Sequence, residues 1–369
     1  MTLSLAASLL LGAGLLGLAL RAEERRRRAP VLPPSDAGLP PGEVTVLLPV
    51  RDEERNVLDC LDTLLAQTAL PRVRVIDDGS TDATAALAAG RAVAEPRLTL
   101  LQAGPLPDGW RGKVHALSAG FREAGTPWIL LTDADARHHP DLLARALAAA
   151  EAGRSDAVSV AGWQEARGLG ENLLIPAVFA LLDALLGDWE AAAAGAGPPV
   201  ANGQFLLLRR EAWERAGGFE AVRGEAIDDV AIARRLREQG GRTAFLRAPD
   251  LLRVRMYRGW GEAWRGWRRN LGGLFGNRPG TAVTLLATLL VPVLALLAAL
   301  LAGHWVEAAI LWTAGASASA VFRAGSGHPP LYGLLYPLDA LLLAGVLGLG
   351  VLDRRRGRLA SWKGREIRV

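Results

Sequence analysis

Arg72-Val73-Arg74-Val75-Ile76-Asp77-Asp78-Gly79-Ser80-Thr81-Asp82 decides the fold of the middle of the chain. The β-branched run reads as a strand to Ile76. The carboxylates, glycine and hydroxyls after it read as a turn in which Ser80 or Thr81 caps a helix from Thr81 to Ala94. The pattern recurs on both sides. Val44 to Val50, Leu98 to Gln102, Trp128 to Thr132 and Ala157 to Val160 read as further strands, and Glu53 to Gln67, Val114 to Glu123 and Pro140 to Glu151 as the helices between them. Strand and helix in alternation predict an α/β fold, a mostly parallel sheet covered on both faces. Ligands of such sheets bind beyond the carboxyl ends of the strands, so chemistry is sought there.

Outward from this region the composition changes. Thr2 to Leu20 is uncharged and almost wholly apolar, long enough to cross a bilayer core of roughly 30 Å. Arg25 to Arg28 follow it and nothing basic precedes it, so it reads as a retained anchor with Arg25 in the cytoplasm, not a cleaved leader. Ala29 to Gly42 is Pro-rich and reads as a stiff linker. After Pro279, the segments Thr281 to Ala302, Trp305 to Val321 and Tyr332 to Leu352 are each near spanning length. Three crossings that start inside end outside, whereas Arg354 to Arg358 favour the inside. One segment is therefore expected to be re-entrant or interfacial, and the middle one is the shortest and richest in small residues. The expected organisation is an anchor (1–22), a basic and Pro-rich linker (23–42), an α/β domain (43–252), a basic Trp-rich interfacial helix (253–279), a transmembrane region (280–352) and a basic tail (353–369).

Of the 369 residues 50% are hydrophobic and 22% charged, which excludes a disordered chain. A single cysteine, Cys60, excludes an internal disulfide framework, and with only five His any metal chemistry falls to carboxylates. The basic clusters at 21–28, 253–278 and 353–369 each lie beside an apolar run, the pattern of a membrane surface and not of a nucleic-acid groove.

Acidic residues gather where the strands are expected to end. Asp77 and Asp78 close one strand, and Asp133-Ala134-Asp135 closes another, with two carboxylates placed to share a hard divalent cation. Glu225-Ala226-Ile227-Asp228-Asp229 opens a helix running to about Glu238. Taken singly, each is equally well a capping turn, a solvated loop or a response to the helix dipole. Taken together, with Lys113 of Trp110-Arg111-Gly112-Lys113 between them, they supply a metal clamp, a cation and backbone amides, as a pyrophosphate site requires.

These residues resemble the family 2 glycosyltransferases of GT-A (Rossmann-like) fold. The motifs are Leu48-Pro49-Val50-Arg51-Asp52-Glu53-Glu54, Asp77 to Asp82, Gly112-Lys113, Asp133-Ala134-Asp135, Asn202-Gly203-Gln204-Phe205 with Gly217-Gly218-Phe219, and Asp228-Asp229. The resemblance covers residues 43 to about 275. It implies a nucleotide-sugar donor with Pro49, Val50, Arg51 and Glu53 near the nucleoside, Asp78 on the base, Lys113 and Asp133 toward ribose and phosphate, and Asp135 with Asp133 on Mg2+ or Mn2+. Asp229 matches the family's catalytic base, beside Asp228. The flanking apolar segments and the ending Trp362-Lys363-Gly364-Arg365 resemble a membrane-bound group that includes carotenoid-acid and hopanoid-associated glycosyltransferases. Gly203, Gln204, Arg265, Trp267 and Arg268 then fall to the leaving group or acceptor. One position departs: Arg269 stands where many membrane members carry the Trp of an Arg-Trp pair.

The implied protein is an integral inner-membrane enzyme with a cytoplasmic catalytic domain, moving a hexose, expected from a UDP-sugar, to a lipid or isoprenoid with inversion. The alternatives are a processive polysaccharide synthase and a non-catalytic nucleotide-sugar scaffold. Trp260, Trp264 and Trp267 recur at helical spacing among arginines and are expected to face the bilayer surface. Leu173 to Leu186 reads as a helix with Asp183 on a solvated face, His138-His139-Pro140 as a helix start, and Cys60 as a core residue.

Overall fold

A computed structural model describes residues 3–34, 42–186, 188–225, 227–357, 359–362 and 365–368. Ser35 to Pro41 of the expected linker, Ala226, Arg358, and Lys363 with Gly364 of the tail lie outside the described residues. The chain begins with α1 (Leu3–Arg28), β1 (Val44–Val50), α2 (Val57–Leu65), β2 (Arg72–Asp77), α3 (Thr84–Ala94), β3 (Leu98–Gln102), α4 (Gly112–Glu123) and β4 (Trp128–Leu131). There follow β5 (Ala136–His138), α5 (Leu142–Ala152), β6 (Ala157–Ala161), β7 (Trp163–Gln164), α6 (Gly168–Leu186), α7 (Trp189–Ala193), β8 (Leu206–Arg209) and α8 (Arg210–Arg215). Then come α9 (Asp228–Glu238), β9 (Thr243–Arg247), β10 (Leu252–Val254), α10 (Trp260–Phe275), α11 (Pro279–Leu301), α12 (Trp305–Gly325) and α13 (Tyr336–Arg355), before a two-strand hairpin of Leu359–Trp362 with Arg365–Arg368.

Two compact units result. One, the sheet unit, comprises Ala29–Trp163 and Asp188–Arg255; the other, the helical unit, comprises the described residues of Met1–Arg28, Gln164–Gly187 and Met256–Val369. The sheet unit holds seven strands in the order β3-β2-β1-β4-β8-β6-β9. All neighbouring pairs are parallel except those of β8, which runs antiparallel to β4 and β6. The expected mostly parallel α/β sheet is therefore present, with one reversal that matters. Because β8 is reversed, its beginning, not its end, lies at the edge where the parallel strands finish. Asn202 and Gly203 thereby reach the edge that Asp78 and Asp133 occupy.

One face of this sheet is sealed by α4, α8 and α9: Leu47, Ile76, Ile129, Leu131 and Leu206 pack with Val114, Leu117, Trp213, Ile232 and Leu236, all buried. Helix α4 comes close because Gly120 has no side chain; a Cβ there would meet Ile76 at 2.7 Å and Leu47 at 3.1 Å. The expected linker begins as structure: Leu32 N–H donates to Arg247 and Arg247 N–H to Pro30, extending the sheet beyond β9. Cys60 is fully buried, as expected.

The helical unit differs from the expected organisation in two ways. First, α6 belongs to it and is not part of the α/β domain. Among the described residues five helices are long and apolar enough to cross a membrane, and α6 is one of them. Yet β6 before it and β8 after it are paired in one sheet, so α6 is not a lone crossing. Second, the chain doubles back between α12 and α13. Ser4 donates to Glu307 at 3.0 Å, Gly12 lies against Ala314, and Gly325 lies against Glu23 and Arg26, so α1 and α12 run in the same sense. Tyr336 lies against Gly315, and Asp339 accepts from Ser319 at 2.8 Å, so α13 also runs with α12. Helix α11 runs against them, with Gly348 facing Leu286 and Val293 packed with Tyr336 and Ala340. The connection therefore climbs back along the last ten residues of α12, about 15 Å, with Gly333 against Ala316 and Ala320. The doubling back precedes the third apolar segment, and the middle segment is one continuous helix, α12. The carboxyl ends of α1, α12 and α13 all point to one end of the bundle, and Arg354 Nε donates there to Asn277 beside the start of α11.

A substitution at Gly120 tests the seating of α4. Gly120→Val overpacks the seam against Ile76 and Leu47 and is expected to cost about 1–3 kcal/mol, read as a lower thermal or denaturant midpoint of the purified protein. An unchanged midpoint would mean that α4 is not held against the sheet at this point.

Candidate active site

The loops after β1 and β2 are stitched together. Asp52 adopts a left-handed backbone (φ 51°), which turns its N–H to Ser80 Oγ at 3.1 Å and its carboxylate to the Thr81 N–H at 2.7 Å. Glu53 N–H donates to Thr84 Oγ1 and Glu54 N–H to Asp82. Arg51 crosses the same gap, donating to the Asp78 carbonyl at 2.8 Å, with its guanidinium 4.0 Å from the Asp78 carboxylate. Asp78 is buried, and Pro49 and Glu53 are half-buried beside it. A rigid two-loop wall results, with carboxylates and a guanidinium at fixed places.

The opposite wall is built from three elements. Lys113 stands in the first turn of α4, and its Nζ lies 2.9 Å from Asp133 Oδ1 and 3.4 Å from Asp228 Oδ2. Asp229, in the first turn of α9, accepts the Gly203 N–H at Oδ2 (2.8 Å) and the Val230 N–H at Oδ1 (2.8 Å). Glycine at 203 leaves this space open: a Cβ there would stand 3.0 Å from Lys113 Nζ and 3.5 Å from Asp229 Oδ2. Partial burial, and then the adjacent Asp228 carboxylate, push Asp229 up to about 6, with Lys113 and the two amides pulling the other way. Burial alone would lower Lys113, but Asp133, Asp228 and Asp229 outweigh it and hold the ammonium well above its ordinary range. Asp133 is raised by burial against the pull of Lys113.

Asp135 follows Asp133 by two residues, half-buried, its carbonyl accepting from Arg255 N–H at 3.0 Å. Two carboxylates at that spacing offer the hard oxygen donors that suit Mg2+ or Mn2+, and one or two are enough when substrate phosphates and waters complete the shell. Among the described residues no group of three or more His, Cys, Asp or Glu is gathered to hold a metal by itself. The donor set thus fits a cation shared with a phosphate-bearing ligand.

Behind the site a buried network fixes the Gly203 turn. Thr132 Oγ1 donates to the Gln204 carbonyl at 2.7 Å and meets His138 Nε2 at 3.0 Å. His138 ends β5 and is buried, and the next helix opens only at Leu142, so the expected helix start at His138 is corrected. Burial drives His138 down to about 3, keeping it neutral. Sequence reasoning gave Thr132 and His138 no role in the site. Their one signal is position, at the end of β4 and in the short strand after Asp135. Gln204 is itself buried, its side chain accepting from Asn202 Nδ2 at 3.0 Å.

The structure therefore brings Lys113, Asp133, Gly203, Asp228 and Asp229 together, with Asp135 beside Asp133 along the chain. Pro49, Val50, Arg51, Glu53 and Asp78 form the second wall. Arg265, Trp267 and Arg268 lie on α10 in the helical unit. Trp267 is buried there against Phe179 and Tyr257, and Arg268 Nε pairs with Asp353 at 2.5 Å. Of the indole stripe expected to face a bilayer only Trp260 is exposed, because α6 and α13 cover the rest: Trp264 lies against Gly345.

Comparison with known proteins bears on the family and the fold. Residues 45–179 match the model for Glycosyl transferase family 2, and residues 128–348, more than half the chain, match that for Glycosyl transferase family group 2. The chain is 25% identical over 242 residues to the 4,4'-diaponeurosporenoate glycosyltransferase of Staphylococcus aureus (strain MRSA252), and the alignment covers 64% of this chain and 63% of that relative's length. The mannosyltransferase PcManGT from Pyrobaculum calidifontis, solved with GDP-Man and Mn2+, superposes with a TM-score of 0.56 at 23% identity, covering 95% of this chain and 98% of that one. The chain belongs to the family 2 glycosyltransferases, with a GT-A sheet unit.

Proposed function

We propose that this protein is a membrane-bound inverting glycosyltransferase that moves a hexose from a nucleoside-diphosphate sugar, a UDP-sugar in the first instance, to a lipid or isoprenoid acceptor. The observation that carries the reading is the Asp229 carboxylate, aimed by the Gly203 amide and set beside Lys113 and Asp133 at the carboxyl ends of the strands. The Staphylococcus aureus relative, named for a carotenoid acid, supports the isoprenoid class of acceptor.

In this reading the nucleoside lies along Pro49 to Glu53 and Asp78. The diphosphate meets the amino end of α4, where free N–H groups and Lys113 favour an anion. Asp135 and Asp133 would hold the divalent cation, which when bound neutralises diphosphate charge and so favours its departure. Asp229 takes the proton from the acceptor hydroxyl as that oxygen forms its bond to the anomeric carbon. The bond to the diphosphate oxygen breaks with its electron pair, and attack from the opposite face inverts the centre. A pKa near 6 lets Asp229 be ionised at neutral pH yet basic enough to accept a proton.

The bundle supports the membrane placement. With α1, α11 and α12 crossing and the chain doubling back before α13, the basic ends Arg25–Arg28 and Arg354–Arg356 share one side, here assigned to the cytoplasm. The conflict between helix count and charge then disappears.

Measurements on the base, the metal and the topology test this reading. Asp229→Asn is expected to lower turnover roughly 10²-fold or more with a hydroxyl acceptor while nucleotide binding is retained. In the wild type kcat/KM should rise with pH through about 6, since only the ionised base works, and Asp228→Asn should move that limb to lower pH by removing a neighbouring negative charge. Normal turnover of the Asn variant would remove Asp229 from the base role. EDTA is expected to abolish transfer, with Mn2+ or Mg2+ restoring it, and Asp135→Ala should lose donor affinity and turnover together; full activity in EDTA would end the metal assignment. Finally, the one native cysteine is buried, so added cysteines report topology. Cysteines at positions 25 and 356 should react with an impermeant maleimide only in inside-out vesicles and one at 303 only in intact cells, whereas labelling of 356 from outside would overturn the doubled-back chain.

A further inference from the structure

Lys113 does more in this structure than wait for a phosphate. Its ammonium sits between Asp133 and Asp228, 2.9 Å and 3.4 Å away, and so occupies the carboxylate that a divalent cation would share. The seat is built from four places in the sheet unit: the first turn of α4, the end of β4, the first turn of α9, and Gly203, whose missing side chain leaves room for Nζ. Two cations cannot share Asp133 cheaply. At an ammonium-to-metal separation of a few ångströms their repulsion is of the order of the attraction that each draws from the carboxylate.

We propose that Lys113 is the resident counter-ion of the donor-free site and that donor binding exchanges it. Without donor, the ammonium neutralises Asp133 and Asp228 and keeps divalent metal out. When a nucleoside diphosphate arrives, its phosphate oxygens draw the ammonium away on its flexible stem. Asp133 is then released from the ammonium, and with Asp135 would hold the metal. Metal and nucleotide thus bind with positive coupling, and by linkage each raises the affinity of the other by the same factor. The exchange also avoids a bare cluster of carboxylates before substrate is present. This inference rests on the donor-site reading above and adds to it a role that a plain phosphate-binding lysine would not have.

The test is a Mn2+ titration of the full-length protein in detergent, followed by the EPR signal of free Mn2+, without nucleotide and with saturating UDP, with GDP as a parallel arm. Wild type is expected to bind Mn2+ roughly tenfold or more tightly when the nucleotide is present, within the usual range of coupling. Lys113→Met, similar in length but uncharged, is expected to tighten nucleotide-free Mn2+ binding by about tenfold, to weaken UDP binding, and to shrink the coupling toward unity. Lys113→Arg, which keeps a cation, should leave nucleotide-free Mn2+ binding weak, and a thermal melt of each variant shows that it is folded. If folded Lys113→Met binds Mn2+ no more tightly than wild type without nucleotide, Lys113 is not the gate and the proposal is overturned. If neither protein binds Mn2+ with UDP or GDP present, the metal reading itself fails and the exchange fails with it. That outcome is distinct, because UDP affinity is measured separately.

Discussion

Asp133, Asp228 and Asp229 meet around a single ammonium, and their mutual repulsion is the force that the sheet unit must contain. The containment is distributed. Lys113 balances two of the three, the Gly203 amide neutralises part of the charge on Asp229, and the amino ends of α4 and α9 add favourable dipoles. Each of these partners comes from a different stretch of chain, so none holds its place unless the sheet is correctly assembled. The reversed strand β8 brings Gly203 to the right edge, and the absence of a side chain at Gly120 lets α4 lie close enough for Lys113 to reach. Site chemistry and fold are in this sense one problem.

Much of the sheet unit was legible because its signals are local. A strand that ends in Asp77-Asp78-Gly79 advertises its own end, and parallel topology places such ends together, so the places of Asp78 and Asp133 could be read from their own segments, whereas a site emerged only when the acidic groups and Lys113 were read together. Features that depend on partners were not. His138 carries no mark in the sequence that it will be buried under Thr132. The Trp stripe on α10 has the same periodicity whether lipid or protein covers it, and only the presence of α6 and α13 decides. Helix α6 was assigned to the wrong unit because its neighbours in sequence are strands. Hydropathy is blind to direction as well: it marks three apolar runs after Pro279 without saying where the chain doubles back. The misplaced charge at Arg354 to Arg358 was the one hint that the chain turns back.

The turn-back is held by polar groups that an apolar bundle tolerates only when they are paired. Arg323, almost wholly inaccessible, donates to Asp339 at 3.1 Å and to the Asn172 carbonyl, while Ser319 donates to the same carboxylate. His328 reaches the Gln164 carbonyl at 2.8 Å, and Glu171 accepts the N–H groups of Arg167 and Gly259. Gln164 and Gly259 lie close in sequence to points where the chain passes between units. Removing one partner of such a pair strands the other in a medium that cannot solvate it, which makes the pairing a device for specifying one connection among several of similar hydrophobicity.

The short pairing of Pro30 and Leu32 with Arg247 has a practical side. Strand β9 is the last in the sheet, and an uncovered outer strand offers its free backbone groups to any other extended chain. The few residues after α1 therefore act as an edge guard as well as a tether. A soluble fragment trimmed back to the first strand would shed that guard and invite self-association, whereas one that begins at Ala29 carries its own protection.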